Sequence, residues 1–264
     1  MNRRLLTFLL PVLVGALMIG AWYVFRLHIL AADQRFLLPA PDAILRALVD
    51  KAPDLWAAAL NTATGALLGF GLAVALSFTL ALGLSLSPLI RAGFYPYLMM
   101  LQLTPIIVLA PILILWVGPG LKSVVIITFL ICFFPLIVNT TQGLISTDRN
   151  LVELFRMGRA SRLQEIFLLR VPSSLPYFFT GLRIAATLAP IGAIVGDAYA
   201  GNSAGGQGGL GFLTIVYSAQ FQLPALFATA AVGCLLGFVF AGTVVALSWF
   251  SLHHWHDSYQ RKDL

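Results

Sequence analysis

Charge is what this sequence lacks. Only 10% of its 264 residues are Asp, Glu, Lys or Arg, against about 25% in ordinary globular chains. So few charges cannot cover the surface of a water-soluble protein of this length, and a bilayer has to serve as solvent for the rest. Acid is scarcer still: 10 Asp and Glu stand against 16 Lys and Arg. General acid–base catalysis therefore has few candidates. No Gly-Lys pair occurs, which excludes a P-loop and places any ATP hydrolysis on another chain. No His-Glu-x-x-His pattern occurs either. Cysteine is limited to Cys132 and Cys234, both inside apolar runs. That excludes a disulfide framework or a cysteine-rich metal centre and reads as two small buried hydrophobes.

What fills the sequence instead is apolar: 59% of residues are hydrophobic. The formal net charge of +6 does not point to nucleic acid, because the positive residues flank apolar runs as membrane orientation requires. Six spans are expected, near residues 5–25, 57–86, 95–117, 124–144, 175–194 and 225–250. The first follows Arg3 and Arg4 and is long enough to cross a ~30 Å hydrocarbon core. It reads as a retained anchor rather than a cleaved leader.

Between the first two spans, Pro39 and Pro41 mark a turn. Asp42 is placed to cap a short amphipathic helix with Ile44, Leu45 and Leu48 on one face. The second span holds Gly65 and Gly69, a GxxxG spacing that is either a packing face or a chance recurrence. Pro88 and Arg91 mark a short turn. Pro105 and Pro111 fall inside the third span, where each kinks the helix or is simply tolerated. Asn139 in the fourth is read as an interhelical hydrogen-bonding residue. In the fifth, Arg183 snorkels to the interface or pairs with another chain. Asp197 closes that span where it can reach water. Gly233, Gly237 and Gly242 in the sixth sit at close-packing intervals.

This topology puts Arg3, Arg4, Arg91, Arg149, Arg156, Arg159, Arg162, Arg170, Arg261 and Lys262 on one side of the membrane. Arg26, Arg35, Arg46, Lys51 and Lys122 fall on the other. The excess agrees with both termini being cytoplasmic.

One long polar interval, 150–183, separates two apolar halves. It reads as two short helices. Asn150 lies three residues before Glu153, which allows an N-cap with a reciprocal glutamate, and Ser161 lies three before Gln164, the capping-box spacing. The second helix is expected to end near Val171, ahead of Pro172.

This stretch resembles the cytoplasmic signature loop of bacterial ABC-importer permeases of the binding-protein-dependent class. That signature runs Glu-Ala-Ala, three residues, Gly, nine residues, Ile-x-Leu-Pro. Glu153, Leu154 and Phe155 stand at its first three positions, and Leu169, Val171 and Pro172 at its last. The departures are the bulkier residues at the alanine positions and Arg159 at the glycine position, with Gly158 one residue early. The resemblance spans about 38–250. The stretch 38–45 (LPAPDAIL) and 219–228 (AQFQLPALFA) look like the subfamily importing nitrate, sulfonates, taurine and thiamine-precursor pyrimidines. The ending Trp255-His256-Asp257-Ser258 looks most like the pyrimidine-precursor members.

The resemblance implies an all-α polytopic fold of about six transmembrane helices, of the type I importer kind. It divides the chain into an N-terminal helix with an external segment (1–56), a permease core (57–250) with a coupling loop at 145–173, and a cytoplasmic tail (251–264). It implies an inner-membrane location and a second, identical permease copy alongside membrane lipid. An ATPase subunit carries ATP and Mg, so this chain itself needs no cofactor, and an extracytoplasmic binding protein delivers solute. Coupling to the ATPase would fall to Glu153, Leu154, Phe155, Met157, Gly158, Arg159 and Pro172. Pro105, Pro111, Asn139, Arg183 and Asp197 are the candidate pathway or gating residues.

Other motifs have plainer readings. Gly206–Gly211 fits G-x-G-x-x-G but lacks the strand, helix and acidic residue of a dinucleotide site. It reads as an outer loop or a sharp re-entry into the sixth span. His253, His254 and His256 around Trp255 suit a membrane interface better than zinc, for want of a fourth ligand. The alternative of an ion-gradient-driven transporter or channel would call for internal inverted repeats, and none is visible.

Overall fold

The computed structural model describes residues 3–200 and 208–252. His253, His254, Trp255, His256, Asp257, Ser258, Arg261, Lys262 and Gly206 lie outside the described residues. Among the described residues every regular element is helical. Helix α1 (Arg3–Val24) runs into a π turn (Phe25–Ile29), then α2 (Pro41–Asp50), α3 (Ala52–Leu86), α4 (Pro88–Gln102) and α5 (Ile106–Val117). Next come α6 (Leu121–Ile145), α7 (Arg149–Met157) and α8 (Arg162–Gln164). A π turn (Glu165–Arg170) joins α8 to α9 (Val171–Ala200), which is followed by α10 (Leu210–Ala219) and α11 (Leu223–Leu252). Among the described residues five stretches are long and apolar enough to cross a membrane, or six when the bent pair α4–α5 counts as one. The all-α polytopic expectation holds.

Helix α6 is the centre, with α3 and α9 packed along it. Small residues make this possible. Helix α3 presents Gly65, Gly69, Ala73, Ser77 and Ala81 at four-residue spacing, all buried. A Cβ at Gly65 would lie 2.6 Å from Val124 Cγ1, and one at Gly69 2.8 Å from the Val125 carbonyl oxygen. The GxxxG pattern is therefore a packing face. On α9, Gly181, Ala185, Ala189 and Ala193 form a second buried row. A Cβ at Gly196 would sit 2.9 Å from Val124 Cα. Lipid tails give helices no hydrophobic reason to associate, so close backbone contact and its dispersion energy carry the packing. In α11 only Gly233 of the three spaced glycines meets a neighbour, Ile194; Gly237 and Gly242 face open space.

Several local expectations are corrected. The third span is not one kinked helix: α4 and α5 meet at 96°. Pro105 is the N-cap residue of α5, in extended conformation, and lacks the N–H that would continue the ladder. Pro88 and Arg91 form no turn; Pro88 opens α4 directly after Ser87, the position where a missing N–H costs least. Asp42 does not cap α2. Ala40 is the N-cap residue, and the Asp42 carboxylate instead accepts from the Tyr23 hydroxyl at 3.0 Å and pairs with Arg46 at 3.2 Å. Leu45 is exposed while Ile44 and Leu48 are half-buried. Cys132 is buried as expected, but Cys234 is exposed on α11.

Candidate functional site

The polar interval folds into a tightly closed turn of helices. Helix α7 starts at Asp148, whose Oδ1 accepts from the Asn150 backbone N–H at 2.8 Å. Asn150 is thus inside the first turn and not the cap. At the other end, the Arg159 N–H donates to the Arg156 carbonyl at 3.0 Å, and the Ala160 N–H to the Phe155 carbonyl at 3.0 Å. This pair of bonds requires a left-handed residue between helix and loop, usually glycine. Arg159 supplies it, with φ +53°, while Gly158 stays at φ −72°. The residue at the signature's glycine position therefore takes the glycine conformation.

Ser161 then forms the expected capping box: its N–H donates to Gln164 Oε1 at 2.8 Å, and Gln164 N–H to Ser161 Oγ at 3.3 Å. The helix that follows does not stop near Val171. It widens into the π turn and runs on as α9. Pro172 removes one donor and crowds the carbonyl four residues back. The wider turn makes room, and the Ser173 hydroxyl donates to the Leu169 carbonyl at 2.7 Å.

Helix α7 has two faces. Arg149, Val152, Glu153 and Arg156 line a cleft of about 560 Å³ between this loop and the ends of α3, α4 and α6. Leu151, Leu154 and Met157 point away from it, with Leu154 60% and Met157 81% exposed. Phe155 is half-buried. Glu165 holds two arginines: Arg170 donates to its Oε1 from Nη2 at 2.6 Å and from Nε at 2.9 Å. Arg156 lies 3.5 Å from the other carboxylate oxygen. Burial alone raises the Glu165 carboxyl; the bonds and charge of Arg170, then Arg156, outweigh it and hold it below the ordinary glutamate range. Arg170 also donates to the Leu144 carbonyl at 3.4 Å, which ties the loop to the end of α6.

The candidate pathway residues are not brought together. Pro105 and Pro111 are exposed on α5 and its approach. Asn139 Nδ2 donates to the Pro135 carbonyl at 2.8 Å, so its bond lies within α6 and not between helices. Its Cβ side abuts Gly181 of α9. Arg183 is half-buried and lies three turns past Val171, deeper than a span starting at 175 places it. Asp197 does not reach water: it is 6% exposed. Thr62 of α3 donates its hydroxyl to Asp197 Oδ2 at 2.5 Å and accepts the Leu210 backbone N–H at 2.8 Å. The start of α10 folds over the carboxylate, leaving no space for a side chain at Gly209 or Gly211. These glycines serve close approach, not phosphate binding. The outer interval thus contains an ordered helix, α10, with a tertiary cap.

Glu165, Asp148 and Thr62 went unmarked in the sequence, and Arg170 was marked only for its charge. Asp148 carries a readable signal, an acid just ahead of a helical stretch. Thr62 carries none, because its partners are 135 and 148 residues away.

A bundle of apolar helices bridged by close-packed glycines, with one polar helical loop held rigidly at its end, defines a polytopic membrane permease. The model of the family described as binding-protein-dependent transport system inner membrane component matches residues 65–261. The chain belongs to that family: it is an ABC-type permease subunit for small-solute import. It is 40% identical over 206 residues to the formylaminopyrimidine transport permease protein ThiX of Halalkalibacterium halodurans, covering 77% of this chain and 80% of that one. It is 33% identical over 218 residues to a probable ABC transporter permease protein of Haemophilus influenzae, covering 83% and 86%. It is 30% identical over 195 residues to the putative aliphatic sulfonates transport permease protein SsuC of Bacillus subtilis, covering 70% and 68%.

Proposed function

We propose that this permease couples ATP hydrolysis on a separate ATPase subunit to import of a thiamine-precursor pyrimidine, through the loop at 150–172. The carrying observation is the outward apolar face of α7. Leu151, Leu154 and Met157 are exposed on a helix fixed by Asp148 at its start and by the Arg159 turn at its end. A rigid amphipathic helix of this kind suits insertion into an apolar groove of a partner. Glu153, on the cleft face, and half-buried Phe155 orient it. Gly158, Arg159 and Pro172 set the angle between loop and span. Arg156 of α7, Glu165 and Arg170, which also bonds the Leu144 carbonyl, pass motion of the loop to α9 and α6.

The chain sits in the cytoplasmic membrane with both termini inside. It works as a homodimer and receives solute from an extracytoplasmic binding protein. Pyrimidine is favoured over sulfonate, taurine or nitrate by the likeness to a formylaminopyrimidine permease. The break at Pro105, with Pro111, Asn139 and Arg183, borders the solute path. Asp197 gates it by holding α10 against α3.

The test is ATP-dependent uptake of labelled formylaminopyrimidine by vesicles containing this chain with its ATPase and binding protein. Leu154→Asp with Met157→Asp should abolish uptake and release the ATPase while the permease stays in the membrane. Undiminished uptake by that variant would refute the coupling role. ATP-driven uptake of a sulfonate instead would refute the pyrimidine assignment alone.

A further inference from the structure

The cleft behind α7 is strongly basic. Arg91, Arg149 and Arg162 line it together with Arg156 and Arg170. The acids there are Glu153, which is exposed, and Glu165, which is engaged by Arg170 and Arg156. Among the described residues Arg91, Arg149 and Arg162 make no ion pair. Arg91 is half-buried, so its charge is held in place and not spread into solvent.

A second cleft of about 410 Å³ adjoins the first and shares Pro88, Arg91 and Ile145 with it. Its remaining wall is mostly apolar: Ala92, Tyr95 and Pro96 of α4, with Gln142 of α6. The result is a guanidinium-lined chamber at the end of the bundle that opens along α4 into a strip of apolar surface. Guanidinium groups recognise phosphate oxygens through paired N–H donors. Basic pockets between membrane helices near the bilayer surface suit anionic headgroups.

We infer that this pair of clefts binds an anionic phospholipid, with the headgroup phosphate among Arg91, Arg149 and Arg162 and an acyl chain along Ala92, Tyr95 and Pro96. The amphipathic lining favours a lipid over a free anion, which would use the charged chamber alone. The bound headgroup supplies the negative charge that the cleft lacks and props α7 from behind. This inference rests on the membrane-embedded family and the geometry of the clefts, not on the choice of solute.

The test uses the full chain purified into nanodiscs of phosphatidylcholine containing a minority of phosphatidylglycerol. Native mass spectrometry reads which lipid stays bound. The wild type should retain phosphatidylglycerol in clear preference, and Arg91→Gln with Arg149→Gln and Arg162→Gln should lose that preference by about tenfold or more. Ala92→Trp, which leaves the arginines in place and fills the apolar strip, should weaken retention. The triple lysine variant, which keeps the charge, should retain part of it and so separates charge loss from misfolding. No lipid preference in the wild type would overturn the inference. So would a preference that survives the triple glutamine change. Full displacement by inorganic phosphate, with Ala92→Trp unaffected, would assign the chamber to a soluble anion and overturn the lipid reading.

Discussion

Arg159→Gly should tighten the turn between α7 and α8. Arg159 sits at φ +53°, where the side chain crowds its own backbone. Holding an L-residue there costs roughly 1–2 kcal/mol. Glycine removes that cost but gains freedom in the open chain, which offsets about 0.4–1 kcal/mol. The net gain is about 0.5–1 kcal/mol, or an opening equilibrium about two- to fivefold lower. The two bonds that close this turn, from the Arg159 and Ala160 amides, are the reporters. Hydrogen exchange at Ala160 in the purified chain should slow by that factor, with no change at Gln164, which is held separately by the Ser161 cap. Arg159→Ala is the control: it removes the charge and keeps the strained backbone, so exchange at Ala160 should stay near the wild-type rate. Equal slowing in both variants would show that the guanidinium, not the backbone, destabilises the turn. No slowing in the glycine variant would refute the strain argument.

Gly69→Ala should destabilise the bundle by about 1–3 kcal/mol through overpacking, because the new Cβ would lie 2.8 Å from the Val125 carbonyl oxygen; Gly71→Ala, which meets nothing, is the control in thermal unfolding. Thr62→Val should cost about 1.5–3 kcal/mol, because it leaves a buried carboxylate without its donor, and should speed exchange at the Leu210 amide, whereas Thr62→Ser should behave as wild type. The Glu165 carboxyl is held below its ordinary range. Its contribution is therefore whole above the unfolded glutamate value of about 4.3 and is lost as the pH falls through the lower folded value. Glu165→Gln should abolish that acid dependence of protection in the loop, and a persistent dependence would assign it elsewhere.

Much of this protein is legible one residue at a time. Apolar runs of membrane length, scarce charge, and arginines gathered on one side of the runs are properties of composition and order, and they fix a polytopic helical class. The Ser161 box is legible for the same reason: its partners lie three residues apart, so local spacing specifies the bond. The GxxxG of α3 is half-legible. Four-residue spacing places Gly65 and Gly69 on one face, but only the seating of Val124 and Thr128 against them shows that the face is used.

What tertiary structure decided involves partners that spacing cannot name. Asp197 looked like a boundary residue open to water, and α10 buries it by folding back from beyond the span. Asn139 looked interhelical, yet its side-chain amide donates to the Pro135 carbonyl one turn below in its own helix. The helix expected to end at Pro172 continues, because a π turn ahead of it makes room for the proline ring. Sequence determines which segments prefer lipid and which ends carry charge, since transfer energies belong to individual residues. Which carboxylate is buried, which arginines share a cleft and which residue takes the left-handed turn depend on how segments far apart in the chain close on one another, and only the packed structure decides that.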